Sequence, residues 1–226
     1  AEMDARLKAK ETPVNCADRA MVLMIMGRLK EALEGYERAY QLEQLHLKGR
    51  AKSYLLHNAT VHWLLGSRQG AIDAIRRAVD GILDKSIGYA DIAGGVSQGL
   101  LLWYFGVTAN DVKACDDACA YLSMLAKGPN AYYWPGPLAK FVIGEMALEE
   151  TLERAAGSRS LAVCSTNASN SVLKRRQLCQ CLFYNAVRRR ASGDEKGCFD
   201  YMSRTFELEN PLIELEWYLA RAEVQS

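Results

Sequence analysis

The sequence predicts an all-α fold of antiparallel helix pairs. Apolar residues recur at i, i+3 or i+4, and i+7, as in Leu29, Leu33, Tyr36 and Tyr40, in Ile72, Ile75 and Val79, and in Phe199, Met202 and Phe206. Only five prolines interrupt 226 residues. Sustained period-two alternation is absent, as are turn pairs flanked by β-branched runs, so a sheet is not expected.

Helices are expected at about 14–26, 29–44, 50–65, 68–84, 89–105, 110–127, 136–144, 147–156, 170–191, 194–208 and 211–224. The first has an N-cap in Thr12 with Pro13 at the first helical position, and Asn210-Pro211 repeats that arrangement before the last. In the second, a Glu34/Arg38 pair at i, i+4 belongs to a solvated outer face. Gly66, Gly128 and Gly193 stand where the third, sixth and ninth should stop. The fifth begins in "DIAGGVSQG", residues 91–99, which has neither the strand context of a dinucleotide fingerprint nor the Lys of a phosphate loop. Its glycines are read as a kink at Gly94-Gly95 or a close helix–helix approach. The sixth places Ala114, Ala118 and Leu122 on one side, for packing. "NAYYWPGP", ahead of the seventh, has loop composition, and residues 157–169 form the best candidate for a longer connection. The other loops are short, so neighbouring helices should pack antiparallel.

A repeat underlies this pattern. Gly27 is followed by Ala32, Tyr36 and Ala39, and Gly66 by Ala71, Ile75 and Ala78, at the same offsets. Gly193 is followed by Cys198, Met202 and Thr205, again at those offsets, and the unit closes with Pro211. Glycine permits a tight turn. The small residues let helices approach, and the large one fills the groove between them. These residues resemble the tetratricopeptide repeat, although Gln44 stands where the first unit would have its terminal Pro, and Cys198 and Thr205 replace Ala in the last. The resemblance implies a right-handed superhelical α-solenoid and a single domain over 1–226. Its regular units lie at about 13–44, 50–84 and 178–211, with a divergent helical middle at 86–169 and a closing helix at 211–224.

The C-terminal third, "LCQCLFYNAVRRRASGDEKGCFDYMSRTFELENPLIELEWYLARAEV", and "WPGPLAKFVIGEM" before it resemble NlpI-like bacterial tetratricopeptide proteins. That resemblance implies an adaptor or scaffold that recognises another protein or a peptide segment. No lipobox cysteine is visible. The family's groove positions fall here on Ser53, Leu56, Thr60 and Trp63, and on Gln180, Phe183, Val187 and Arg190. Leu56 and Phe183 stand where carboxylate-clamping members carry Lys, so no such clamp is expected. Of the aromatics clustered mid-chain, Tyr132, Tyr133 and Trp134 lie in the loop and are candidate contact residues.

The chain offers little for bond chemistry. His57 and His62 are five apart and diverge on a helix, and His46 is placed in a loop. Cys115/Cys119 and Cys179/Cys181 lack metal-site spacing, and seven cysteines, an odd number, read as reduced core thiols. No enzyme activity, metal or cofactor is expected. A net charge of +1 argues against a nucleic-acid track, although "KRR" at 174–176 and "RRR" at 188–190 are basic. Asn58-Ala-Thr60 and Asn167-Ala-Ser169 match the glycosylation pattern and are discounted. No run is long enough to span a bilayer. The opening residues do not read as a signal peptide, and the cytoplasm is expected, with the periplasm as the alternative. The alternative function is a bacterial immunity protein that neutralises a cognate toxin by direct binding.

Overall fold

Eleven α-helices and one pairing of two-residue strands make up the described residues of the computed structural model, which are 11–46, 51–52, 54–89, 91–157, 167–208 and 214–225. The helices are α1 (Pro13–Ile25), α2 (Leu29–His46), α3 (Leu55–Leu64), α4 (Arg68–Leu83), α5 (Val96–Ala109) and α6 (Val112–Ala126). They continue as α7 (Gly136–Val142), α8 (Leu148–Gly157), α9 (Asn167–Ala191), α10 (Glu195–Phe206) and α11 (Leu215–Gln225). The all-α expectation and the order of the helices are met.

Some boundaries differ from expectation, for physical reasons. The third helix starts at Leu55 because Ala51–Lys52 (β1) pairs in parallel with Ile87–Gly88 (β2), tying the chain before α3 to the chain after α4. The fifth starts at Val96 because Gly94 and Gly95 take φ of +93° and +100°, outside helical geometry. The Asp91 carboxylate accepts hydrogen bonds from the N–H groups of Gly95 (3.0 Å) and Ser97 (2.9 Å), which closes that turn. The close approach expected of this stretch falls at Gly99, where a Cβ would stand 2.7 Å from the Tyr121 ring of α6. His46 ends α2 and does not lie in a loop. Ser53, Cys164, Asn210-Pro211 and most of the 157–169 connection lie outside the described residues.

The chain divides into two compact units, Ala1–Ala90 and Asp91–Ser226. In the first, each helix packs on its neighbours in sequence: α1 on α2, α2 on α3 and α3 on α4. Thr12 caps α1 by accepting from the Asn15 N–H at 3.2 Å. The expected small-large-small positions are all buried: Ala32, Tyr36 and Ala39 on α2, and Ala71, Ile75 and Ala78 on α4. Arg38 pairs with Glu11 at 2.6 Å, rather than with Glu34 as expected. Both partners are well exposed, so little stability follows.

The second unit is organised differently. Its pairs α5–α6 and α9–α10 pack as expected, but α9 also touches α5, α7, α8 and α11. The α7–α8 pair is short, at seven and ten residues, and α9 reaches past it to α5. A strict solenoid confines packing to neighbouring repeats. The helix α5 is buried almost all round, including Leu100, Leu102, Tyr104 and Phe105, which is the pattern of a central helix.

One turn recurs through both units. Gly27, Gly66 and Gly193 have φ of +75°, +80° and +83°. At each, two N–H groups fold back on the preceding helix: Gly66 to Trp63 and Ser67 to His62, both at 2.9 Å, and likewise Gly27 with Arg28 and Gly193 with Asp194. This is the Schellman end, which satisfies the last carbonyls of the helix. The same pair of bonds forms at Asn110 (φ +55°) and Gly144 (φ +83°), so turns of this kind continue through the middle of the chain. Asn110 escapes a search for glycine because asparagine also tolerates the left-handed region. A Cβ at Gly66 would meet nothing within 4 Å, so the cost of substitution there is in the backbone alone. Gly66→Ala is expected to cost about 1–2 kcal/mol, and Gly66→Asn clearly less, read as a shift in urea midpoint at constant slope.

Candidate functional site

Residues 127–135 connect α6 to α7 through consecutive tight turns. Ala131 donates to the Gly128 carbonyl at 3.2 Å, Tyr133 to Asn130 at 3.0 Å and Gly136 to Tyr133 at 2.6 Å. The Trp134-Pro135 peptide is cis. The indole N–H of Trp134 donates to Oε1 of Gln180 at 2.6 Å, which pins the loop to α9. Tyr132 and Tyr133 remain 49% and 43% exposed. Their rings meet edge to face, with centroids 5.9 Å apart. The Arg154 guanidinium lies 5.6 Å from the centre of the Tyr132 ring, within cation–π range. A cavity of about 300 Å³ adjoins the loop, lined among others by Lys127, Pro129, Tyr132, Lys140, Met146 and Arg154.

The anchor at Gln180 belongs to a polar seam between α9 and α11. Gln180 Nε2 donates to Oε1 of Glu216 at 3.3 Å, and the Tyr184 hydroxyl donates to the same oxygen at 3.1 Å. Glu216 is 7% exposed, and burial, followed by the nearby Glu214 carboxylate, pushes its pKa up to about 7. Glu214 is also buried, and desolvation raises it even though Arg176 binds it. Further along α9, Arg190 donates to both oxygens of Glu223, at 3.1 and 3.0 Å, and to the Thr108 hydroxyl at 3.1 Å. Burial alone would lower the Arg190 pKa; the bond and charge of Glu223 hold it above its ordinary value. The Tyr104 hydroxyl also donates to Glu223, at 2.8 Å.

These interactions change the reading of the groove positions. Leu56, Thr60, Trp63, Phe183 and Val187 are all buried, so they are not open to a partner. The Thr60 hydroxyl donates to the Leu56 carbonyl at 3.0 Å, and Arg68 stacks on Trp63 at 3.8 Å. Phe183 packs on Tyr104, with centroids 4.9 Å apart, because α5 covers that side of α9. Arg190 reaches a cleft of about 660 Å³ lined by Trp103, Thr108, Val112 and Glu195, but Glu223 occupies its charge. Trp134 is a half-buried anchor, which leaves Tyr132 and Tyr133 as the exposed members of the candidate set. The sequence reading missed the three cations of the cavity, Lys127 just after α6, Lys140 on α7 and Arg154 on α8. Their one shared mark, a basic residue at or near each helix's end, is common at helix C-termini.

His57 and His62 are half-buried and do not converge on one site. The His57 ring stacks on Tyr36 at 5.2 Å, its Nδ1 is buried without a hydrogen bond, and burial pushes its pKa down to about 4. Asn58 is buried too, with Nδ2 donating to Glu37 at 3.3 Å. An imidazole held neutral in the fold but free to protonate when unfolded, at about 6.5, loses stability as pH falls from 6.5 towards 4. The residue keeps some solvent contact, so about 1–2 kcal/mol is expected between about pH 7.5 and pH 5, measured as the difference between the parent chain and His57→Phe. Among the described residues, no three His, Cys, Asp or Glu side chains gather as a metal site, and the six described cysteines are free thiols. Among them, too, no helix is long and apolar enough to cross a membrane.

No protein-family model matches the chain, and no curated protein matches it.

Proposed function

We propose that the chain is a protein-interaction module of tetratricopeptide type, a superhelical stack of helix pairs that recognises another protein or a peptide segment. The observation that carries this reading is the loop before α7, where two exposed tyrosines are presented on a backbone pinned by Trp134 and Gln180. Rigid aromatic side chains bind well because little conformational entropy is lost on contact. The repeated turns at Gly27, Gly66 and Gly193, each followed by buried small-large-small positions, support the repeat relationship. The bacterial adaptor role and the NlpI-like kinship rest on the sequence resemblance, and the toxin-neutralising alternative has no observation in its favour over this reading.

The test is affinity capture from the native host, using the full chain and Tyr132→Ala/Tyr133→Ala side by side as bait. Both side chains are half exposed and pack on each other, so a loss of about 1–2 kcal/mol each is expected, which leaves a domain of ordinary stability folded. A partner captured by the parent chain should bind the double variant about 10- to 100-fold more weakly. Equal capture by both baits would remove the tyrosines from the interface.

A further inference from the structure

We propose that the cavity beside Tyr132 receives a carboxylate side chain from an acidic segment of the partner protein. This rests on the interaction reading above and assigns the chemistry of what that surface recognises. Lys127 is the C-cap of α6, Lys140 lies in the last turn of α7 and Arg154 in the last turn of α8. All three line one cavity of about 300 Å³, and among the described residues no acidic one lines it. Neither Lys127 nor Lys140 has a carboxylate partner among the described residues. Among the described carboxylates Arg154 pairs with the exposed Glu150, at 3.4 Å, a pairing that a better carboxylate can replace.

A basic residue near a helix C-terminus complements the helix dipole, which accounts for each cation taken singly. That effect acts within one helix. The three cations nevertheless line one cavity, with an aromatic wall and, among the described residues, no acidic side chain in its lining. The convergence calls for an anion, and the size restricts it: about 300 Å³ is the lower limit for a small-molecule pocket and suits one or two side chains. Glu149, Glu150 and Glu153 are exposed on α8, the helix that carries Arg154. Of these only Glu150 meets a cation of the cavity, so the acidic residues of α8 leave Lys127 and Lys140 open to an incoming carboxylate. Tyr132 and Tyr133 are placed to cover the apolar residues flanking it.

The experiment pans a displayed random dodecapeptide library against the full-length chain. Clones enriched in Asp or Glu beside apolar residues are expected. Panning against Lys127→Gln/Lys140→Gln should lose the acidic enrichment and keep the apolar one. Individual acidic clones should bind this variant at least about tenfold more weakly, and added salt should weaken their binding to the parent chain. Circular dichroism of the variant checks that the helices remain, and Lys140→Arg should restore binding. The proposal is overturned if the selected clones show no acidic enrichment or if the glutamine variant selects the same acidic clones. It is also overturned if single-stranded DNA or inorganic phosphate displaces those clones at lower concentration than a free acidic peptide does. Acid-free clones that still depend on Tyr132 and Tyr133 would sink the acidic preference and leave the interaction reading standing. Acidic clones indifferent to both tyrosines would remove Tyr132 and Tyr133 from the recognition surface and leave the acidic preference standing.

Discussion

Phe183→Ala is expected to destabilise the second unit by about 3–5 kcal/mol, the range for deleting a fully enclosed aromatic ring. Phe183 has no solvent exposure and packs against Tyr104 at 4.9 Å and Tyr184 at 5.1 Å. The neighbours are aromatic and held by hydrogen bonds of their own, so they cannot collapse into the space. Urea denaturation followed by circular dichroism measures the loss. A domain of ordinary stability has about 5–15 kcal/mol in hand, so the milder Phe183→Leu, expected to cost no more than about 1.5 kcal/mol, keeps the comparison measurable. A groove residue would behave in the opposite way, leaving stability within about 0.5 kcal/mol and weakening binding instead. The experiment therefore decides between a core and a recognition role at a position where the family pattern implies recognition.

Glu216→Gln is expected to stabilise the chain above neutral pH and to do little near pH 5. The folded carboxyl titrates at about 7 against 4.5 for an unperturbed one, so the folded state holds its proton over that interval and the unfolded state does not. Its contribution to stability is intact below 4.5 and is lost as pH rises through 7. The linkage corresponds to at most about 3 kcal/mol at pH 8. Glutamine keeps the acceptor for Tyr184 and Gln180 without the charge. Denaturant midpoints of parent and variant at pH 5 and pH 8 give the answer, and a gain of equal size at both would show that charge at Glu216 is not the cause. His57 slopes in the opposite sense across an overlapping interval, so the whole chain can show a flat profile that hides both groups. The single-site variants separate them.

Helices are legible wherever local signals agree. Thr12-Pro13 and Gly193-Asp194 mark their termini through capping chemistry that neighbouring residues decide. The third helix starts later than its apolar pattern predicts because the pairing of Ala51 with Ile87 is non-local, and no feature of the residues around Ala51 announces it. The turn after α5 has no glycine to mark it because Asn110 does what glycine does elsewhere. Of the candidate site, the exposure of Tyr132 and Tyr133 follows from loop composition. The burial of Phe183 does not, because it depends on Tyr104 of α5 lying against α9. A periodic pattern shows which face of a helix is apolar. It does not show whether that face meets a partner protein or another helix of the same chain. Lys127, Lys140 and Arg154 are ordinary helix-end residues in one dimension and become a cluster only when their helices are packed.

The crossing of α9 over α5 also bears on synthesis. A ribosome delivers α5 well before α9, and in the interval Tyr104 lacks the Phe183 ring that packs on it in the finished unit. Helix pairs in the first unit can settle as they emerge, since among the described residues each helix packs mainly on the one before or after it. The second must wait until Phe183 and Val187 have left the exit tunnel. At translation rates of about 5–20 residues per second, the eighty or so residues between them take several seconds. An apolar helix exposed for that long is a substrate for a chaperone, and nascent chains halted near residue 160 should be held by one while those halted soon after residue 90 should not.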